Sequence, residues 1–322
     1  EFPDNVSNAI VVPFGLFAEA LNAPVNNVTN LHDWINKELK AINRNNLSYQ
    51  LAKIQNAIES IKFSQKFKNK LANALQENFG ADGSYGIFVR SDTNVEDLPD
   101  FTGAGLNKTI PNVVGFHNIL NAILKVWASP FSERAYLWRS KHLSNPQDVF
   151  VSVLLHKTVP VEVSGVLITE NIENGDKSQF TVATNYGVGG AVAAQNSETV
   201  IIDKESGKVK LLSESTARKM SIIHPSGGVE IKQVSDRRVL SVEQLLLLHK
   251  FVKNLYRNFD EFEDSDGKEL PFDVEFGFIG NKLYLFQVRP YVKNKNSEFH
   301  PFLKSLDKQT KPEQSIPLTA RF

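Results

Sequence analysis

Pro271-Phe-Asp-Val-Glu-Phe-Gly-Phe-Ile-Gly-Asn-Lys-Leu-Tyr-Leu-Phe-Gln-Val-Arg-Pro290 decides how the rest of the chain is read. Apolar and polar residues alternate on both sides of Gly280-Asn281-Lys282, the pattern of two antiparallel strands joined by a tight turn. A three-residue loop, Gly280 to Lys282, pairs Asp273 with Arg289, Val274 with Val288, Glu275 with Gln287 and Phe276 with Phe286. That register gathers the four polar side chains on one face. A two-residue loop shifts the pairing by one and disperses apolar residues to both faces, because side chains alternate with period two. The three-residue loop is therefore expected.

Taken alone, the polar face has two readings. Asp273 with Arg289 is an ordinary cross-strand ion pair, worth about 0.2–1 kcal/mol. Alternatively, Asp273 and Glu275 are hard oxygen donors for Mg²⁺, which binds through one or two carboxylates plus substrate phosphates, leaving Gln287 and Arg289 to touch a nucleotide. The rest of the chain has to choose between them.

With 322 residues there is room for two domains or for one large two-lobed domain. Lys plus Arg (36) balance Asp plus Glu (36), so bulk charge favours neither nucleic acid nor an anionic membrane, and neither is expected as a partner. The absence of cysteine excludes disulfides, thiolate metal sites and cysteine nucleophiles. No apolar run approaches the ~20 residues of a membrane span, and the start lacks a signal-peptide pattern. A cytoplasmic location is the expectation. Met220 is the only methionine, so a removed prosegment or a piece of a longer protein is expected.

Residues 1–80 read mainly as helix, with apolar residues at helical spacing over Val28 to Ile42 and Gln50 to Glu77. Glycines 80, 83 and 86 then lead into the strand Tyr85-Gly-Ile-Phe-Val-Arg90 and a hydroxyl- and glycine-rich loop. Two helices follow, around Phe116–Ser129 and Phe131–His142. The second half is strand-rich from Val149 onward, with Ser241-Val-Glu-Gln244 as a capping box opening a helix over Val242–Phe259. The division expected is one lobe over residues 1–147, a second over 148–292 and a tail or linker over 293–322.

Arg90 ends a strand and offers a planar donor fork suited to phosphate, while Gly103 and Gly105 allow backbone amides close to a ligand. A capped turn, with Asp92 and Thr93 satisfying local amides, accounts for the same residues. Gly187-Val-Gly-Gly190 follows a strand but lacks the lysine of a Walker loop and the later acid of a dinucleotide fingerprint. Arg134 and Arg139 are five residues apart on one helix and point in different directions. The seven histidines show neither metal spacing nor a triad pattern.

Four stretches, in order, resemble the nucleotide-binding domain shared by pyruvate phosphate dikinase, phosphoenolpyruvate synthase, glucan water dikinase and rifampicin phosphotransferase. They are Val89-Arg-Ser-Asp-Thr-Asn-Val-Glu-Asp-Leu-Pro99 with Phe101-Thr-Gly-Ala-Gly105, Val126 to Arg139, Leu155-His-Lys-Thr-Val-Pro-Val-Glu-Val-Ser-Gly-Val166, and Asp273-Val-Glu275 with Gln287-Val-Arg-Pro290. The resemblance implies an α+β ATP-grasp fold whose two lobes clamp ATP. It also implies transfer of a pyrophosphoryl or phosphoryl group to a histidine on a separate swivelling domain, in cis or in trans. Carried over, Arg90, Arg134 and Arg289 serve phosphate chemistry, and Asp273, Glu275 and Gln287 hold Mg²⁺. Thr93, Gly103, Gly105, His156, Thr158, Gly187, Gly189, Glu275 and Gln287 join the arginines around ATP, with Leu155–Val159 lining the adenine pocket.

The departures define an alternative. The family's phosphate-binding lysine lies in a segment preceding the first residue here, its loop glutamate is Gly190, its glutamine before the adenine segment is His156, and no phosphohistidine motif is present. The chain is therefore expected to be either the ATP-binding part of a dikinase-like phosphotransferase, incomplete alone, or a degenerate ATP-grasp module with a regulatory or scaffolding role.

Overall fold

The computed structural model describes residues 2–25, 29–95, 105–143, 145, 148–189, 197–236, 238–259, 262–264 and 266–292. Gly103, Gly190 and the expected tail from 293 lie outside them. Residues 1–291 form one compact unit.

The helical start is α1 (Phe14–Leu21), α2 (Leu31–Lys40), α3 (Leu47–Glu59) and α4 (Gln65–Phe79). The stretch Gln50 to Glu77, continuous in its apolar spacing, is thus two helices. Ser64 breaks it, taking an extended backbone and accepting a hydrogen bond from Phe67 N at 3.2 Å, which caps α4. These helices and α5 (Phe116–Ala128) cover one face of a four-stranded antiparallel sheet, ordered β1 (Ala9–Val12), β4 (Val151–Lys157), β2 (Gly86–Thr93), β3 (Thr109–Val114). Phe17, Ile54 and Trp127 pack there with Ile87, Val89, Val151, Val153 and Leu155. Because β4 runs through the middle of this sheet, the first lobe extends to Lys157, and the boundary expected at 147/148 moves by about one strand. On α6 (Glu133–His142), Arg139 is buried and donates to Pro130 O at 2.5 Å. Burial pulls its pKa down to about 10.

The second lobe is a six-stranded antiparallel sheet in the order β14 (Lys282–Pro290), β13 (Phe272–Ile279), β5 (Val163–Ile168), β6 (Gln179–Tyr186), β7 (Glu198–Asp203), β8 (Val209–Ser213). Helix α7 (Val242–Asn258) packs Leu248, Phe251 and Leu255 with Phe180, Phe272, Val274 and Phe276 from the sheet. Both hydrogen bonds of the expected capping box at Ser241 and Gln244 are present. Just upstream, the fully buried Glu198 carboxylate accepts from Val239 N and Leu240 N at 3.0 Å each and from Arg238 Nε at 2.9 Å, fixing the entry to α7.

The closing hairpin corrects one expectation. Ile279 pairs with Lys282, so the loop is the two residues Gly280-Asn281, with Gly280 at φ +53° as such a turn requires at its first position. Phe276 pairs with Leu285 instead of Phe286. A β-bulge at Phe286 then inserts one residue and restores Asp273–Arg289, Val274–Val288 and Glu275–Gln287 as expected. Burial of Phe272, Val274, Phe276 and Phe278 specifies the face, and the bulge reconciles it with the shorter turn.

Two short pairings had no counterpart in the sequence reading. They are a two-stranded ribbon of β9 (Lys219–Ile223) and β10 (Val229–Gln233), and the pair β11 (Phe262–Glu263) with β12 (Glu269–Leu270). The expected α+β character is observed, with helices on one four-stranded sheet followed by a six-stranded sheet packed on α7.

Candidate functional site

Strand alternation sorts the first sheet into a helix-covered face and a face carrying Phe88 and Arg90 from β2 with Ser152, Leu154 and His156 from β4. This second face meets the closing hairpin. Arg90 Nη2 donates to Glu275 Oε2 at 3.1 Å and to Gln287 Oε1 at 2.9 Å, and Nη1 donates to the Phe286 carbonyl at 3.4 Å. One guanidinium from the first lobe thus ties together two strands of the second. Beside it, Arg289 Nε and Nη2 sit 2.9 and 2.8 Å from Asp273 Oδ2. The four charges balance, so the cluster is neutral within itself.

An apolar cluster adjoins this polar one. Val159, Val161 and Val188 pack with Phe88, Ile223, Tyr284 and Phe286, joining residues from both lobes. His156 stands at the edge of the cluster, its ring 5.9 Å from that of Phe286 in a T-shaped contact. Ser7 Oγ donates to Lys157 O at 3.0 Å and lies 2.9 Å from His156 Nε2, an arrangement that leaves the hydroxyl to accept from the ring N–H. Burial, and then the charge of Arg90, lowers the pKa of His156 to about 4, so the ring is neutral at pH 7.

Arg90, Glu275, Gln287, Arg289 and Asp273 are brought together, with His156 at the edge of the adjoining apolar cluster; the other expected site residues scatter. Thr93 lies on the helix-covered face of β2, an odd number of residues from Arg90, and accepts from Asn107 Nδ2 at 3.5 Å. Arg134 is exposed on α6 and makes no bond to the cluster among the described residues. Thr158 follows β4, and its buried hydroxyl has no partner among the described residues. Gly105 and Gly189 both have positive φ with open space beside them. Gly187 has a packing role: a Cβ there would lie 2.2 Å from Ser221 O, so glycine admits β9.

The sequence reading missed Phe88 and the cleft-side position of Phe286, because alternation counted without a bulge sends Phe286 to the other face. Among the described residues no group of three or more His, Asp or Glu side chains makes a ready-made metal cage. Asp273 and Glu275 on β13 and Gln287 on β14 share one face of the sheet, and this donor set would suit a cation that completes its shell with phosphate and water, as Mg²⁺ does. No helix of the described residues is long and apolar enough to cross a membrane.

Residues 9–309 match the family described as pyruvate phosphate dikinase, AMP/ATP-binding domain. A probable phosphoenolpyruvate synthase of Pyrococcus horikoshii is 29% identical over 292 residues, covering 86% of this chain and 35% of the relative. Rifampicin phosphotransferase of Bacillus subtilis is 26% identical over 257 residues, covering 78% of this chain and 28% of the relative. The chain thus spans about a third of the length of these curated relatives. Among solved structures, the D-alanine-D-alanine ligase of Helicobacter pylori aligns over 82% of this chain and 60% of its own, at 15% identity and a TM-score of 0.31, a likeness too weak to argue from.

Proposed function

The chain belongs to the pyruvate phosphate dikinase AMP/ATP-binding domain family, and we propose that it binds Mg·ATP between its two lobes and presents it for group transfer. The reading rests on Arg90, which reaches from β2 to Glu275 and Gln287 on the closing hairpin. In the proposed complex the two carboxylates, with Gln287, hold Mg²⁺, while Arg90 and Arg289 turn from their carboxylates to phosphate oxygens. Each ion pair is exchanged for one of equal charge, so the site admits a charged ligand without leaving a buried charge unpaired. When bound, the cation neutralises charge on the phosphates; the chain's own part is positioning, which is most of what phosphoryl transfer requires. The acceptor is a histidine on a separate domain, in cis or in trans, whose nitrogen bonds to phosphorus as the P–O bond to the departing nucleotide breaks.

Calorimetry with Mg·ATP on the wild-type chain and on Glu275→Ala and Arg289→Ala tests the site. Loss of one partner from a hydrogen-bonded charge cluster is expected to weaken binding by about 2 kcal/mol, roughly thirtyfold. Equal affinity in all three proteins would remove the site. A second reading, a nucleotide-binding module without catalysis, is favoured by the neutral His156, which stands where the family has a glutamine. Mg·ATP binding without AMP formation, when a phosphohistidine domain is supplied in trans, would select it.

A further inference from the structure

The ribbon β9–β10 belongs to neither sheet, and it joins both lobes. Midway along β9, Val188 N donates to Ser221 O at 2.8 Å, just beyond the end of β6 in the second lobe. At its tip, the turn from His224 to Gly228 is held by one residue of the first lobe. Asn112 Nδ2 donates to His224 O at 2.7 Å and to Gly228 O at 2.8 Å, and Gly228 N donates to Asn112 O at 2.8 Å. Five residues per strand make a ribbon that is marginal without support, so the contacts at Ser221 and at the tip place it.

Asn112 is built for this contact. It is 2% exposed and lies at φ +49°, the only positive φ outside glycine among the described residues. Asparagine tolerates that region better than most side chains do. The first sheet bends to present it: Phe88 of β2 stands opposite two β3 residues, Pro111 and Asn112, at a break in the β2–β3 register. Gly86 makes the room, since a Cβ there would lie 1.8 Å from Asn112 Oδ1. Between Ser221 and the tip the ribbon places Ile223 in the apolar cluster with Phe88 and Phe286, the residue whose carbonyl accepts from Arg90.

We propose that Asn112 is a positioning residue for the nucleotide: it clasps the β9–β10 ribbon across the lobes so that Ile223 completes the apolar wall on which the base rests. The inference depends on the Mg·ATP reading above, and it separates the base from the phosphates. The wall touches the base, whereas Arg90 and Arg289 serve the phosphates.

Asn112→Gly keeps the backbone conformation and removes the two side-chain hydrogen bonds. Calorimetry on the whole chain is expected to show Mg·ATP affinity lower by about tenfold, from the loss of two neutral hydrogen bonds, with Mg·tripolyphosphate affinity unchanged. Hydrogen exchange over residues 219–233 is expected to be faster in the variant. Ile223→Ala, which leaves the clasp intact, is measured in parallel and is expected to give the same split between the two ligands. Equal Mg·ATP affinity in wild type and both variants overturns the inference and leaves the ATP site standing. Equal losses for ATP and tripolyphosphate also overturn it, by reducing Asn112 to a fold-stabilising residue. A wild-type chain that binds neither ligand overturns the ATP reading, and this inference with it.

Discussion

The closing hairpin β13–β14 and the ribbon β9–β10 are both antiparallel pairs with tight turns, yet they are held by opposite means. One face of β13 is fully buried against α7 through Phe272, Val274, Phe276 and Phe278, so a slip of one residue would drive carboxylates into the core. The ribbon has no such face. All of β10 is exposed, including Ile231 at 59%, and what fixes the pair is a set of polar contacts at Ser221 and at the tip together with Ile223. Burial gives the first hairpin a rigid platform for charged groups; a few polar contacts give the second a placement that three hydrogen bonds control at its tip. Rigidity lies under the charged groups and adjustability over the apolar cluster.

The largest test of this contrast is Phe276→Ala, which opens a cavity under the platform. It is expected to cost about 3–5 kcal/mol in chemical denaturation, against less than about 0.5 kcal/mol for Ile231→Ala on the ribbon. Comparable costs would mean that the two hairpins are held alike. Next comes pH, acting where the platform meets the first lobe. The folded pKa of His156 is about 4 against 6.5 unfolded, so between these values the unfolded chain binds more protons and stability rises with pH, levelling off above 6.5. Acidification across that window is expected to remove up to about 3 kcal/mol, and His156→Gln to flatten that part of the profile. An unaltered slope in the variant would assign the acid sensitivity elsewhere. The smallest effect belongs to the contact of Gly187 with the middle of β9. Gly187→Ala combines φ +81° with a methyl 2.2 Å from Ser221 O. It is expected to cost about 2 kcal/mol and to raise hydrogen exchange over 219–223 while leaving 272–279 protected. Uniform exchange across both hairpins would show that the ribbon is no separate unit.

The same contrast explains what the sequence could reveal. The polar pairs Asp273–Arg289 and Glu275–Gln287 were legible because a buried face prints period two into the sequence. The capping box at Ser241 was legible because it is local chemistry. The ribbon was not, since β9 is half-buried on both faces and β10 is exposed on both, so neither carries an alternation, and their contacts are remote in sequence. Asn112 left a faint trace: proline followed by asparagine favours an edge or a bulge, which is where the pair lies, but β3 itself was read only as the stretch between a loop and a helix. Nor could the turn length be read, because the bulge at Phe286 offsets it, and pairing arguments that assume regular strands return the right partners with the wrong loop. The lobe boundary failed for another reason. Val151, Val153 and Leu155 read as a buried strand, but nothing local says which of two sheets will bury them.

Phe286 has a consequence of its own. Removing the bulged residue would leave Leu285 and Gln287 adjacent, in a strand that alternates without interruption, with Glu275 still opposite Gln287 and Asp273 still opposite Arg289. Phe286 is therefore an extra letter that leaves the reading frame intact. It places an aromatic ring between the lobes at no cost to the order of the charged groups, and that position can change in size or shape while the spelling of the polar site stays the same.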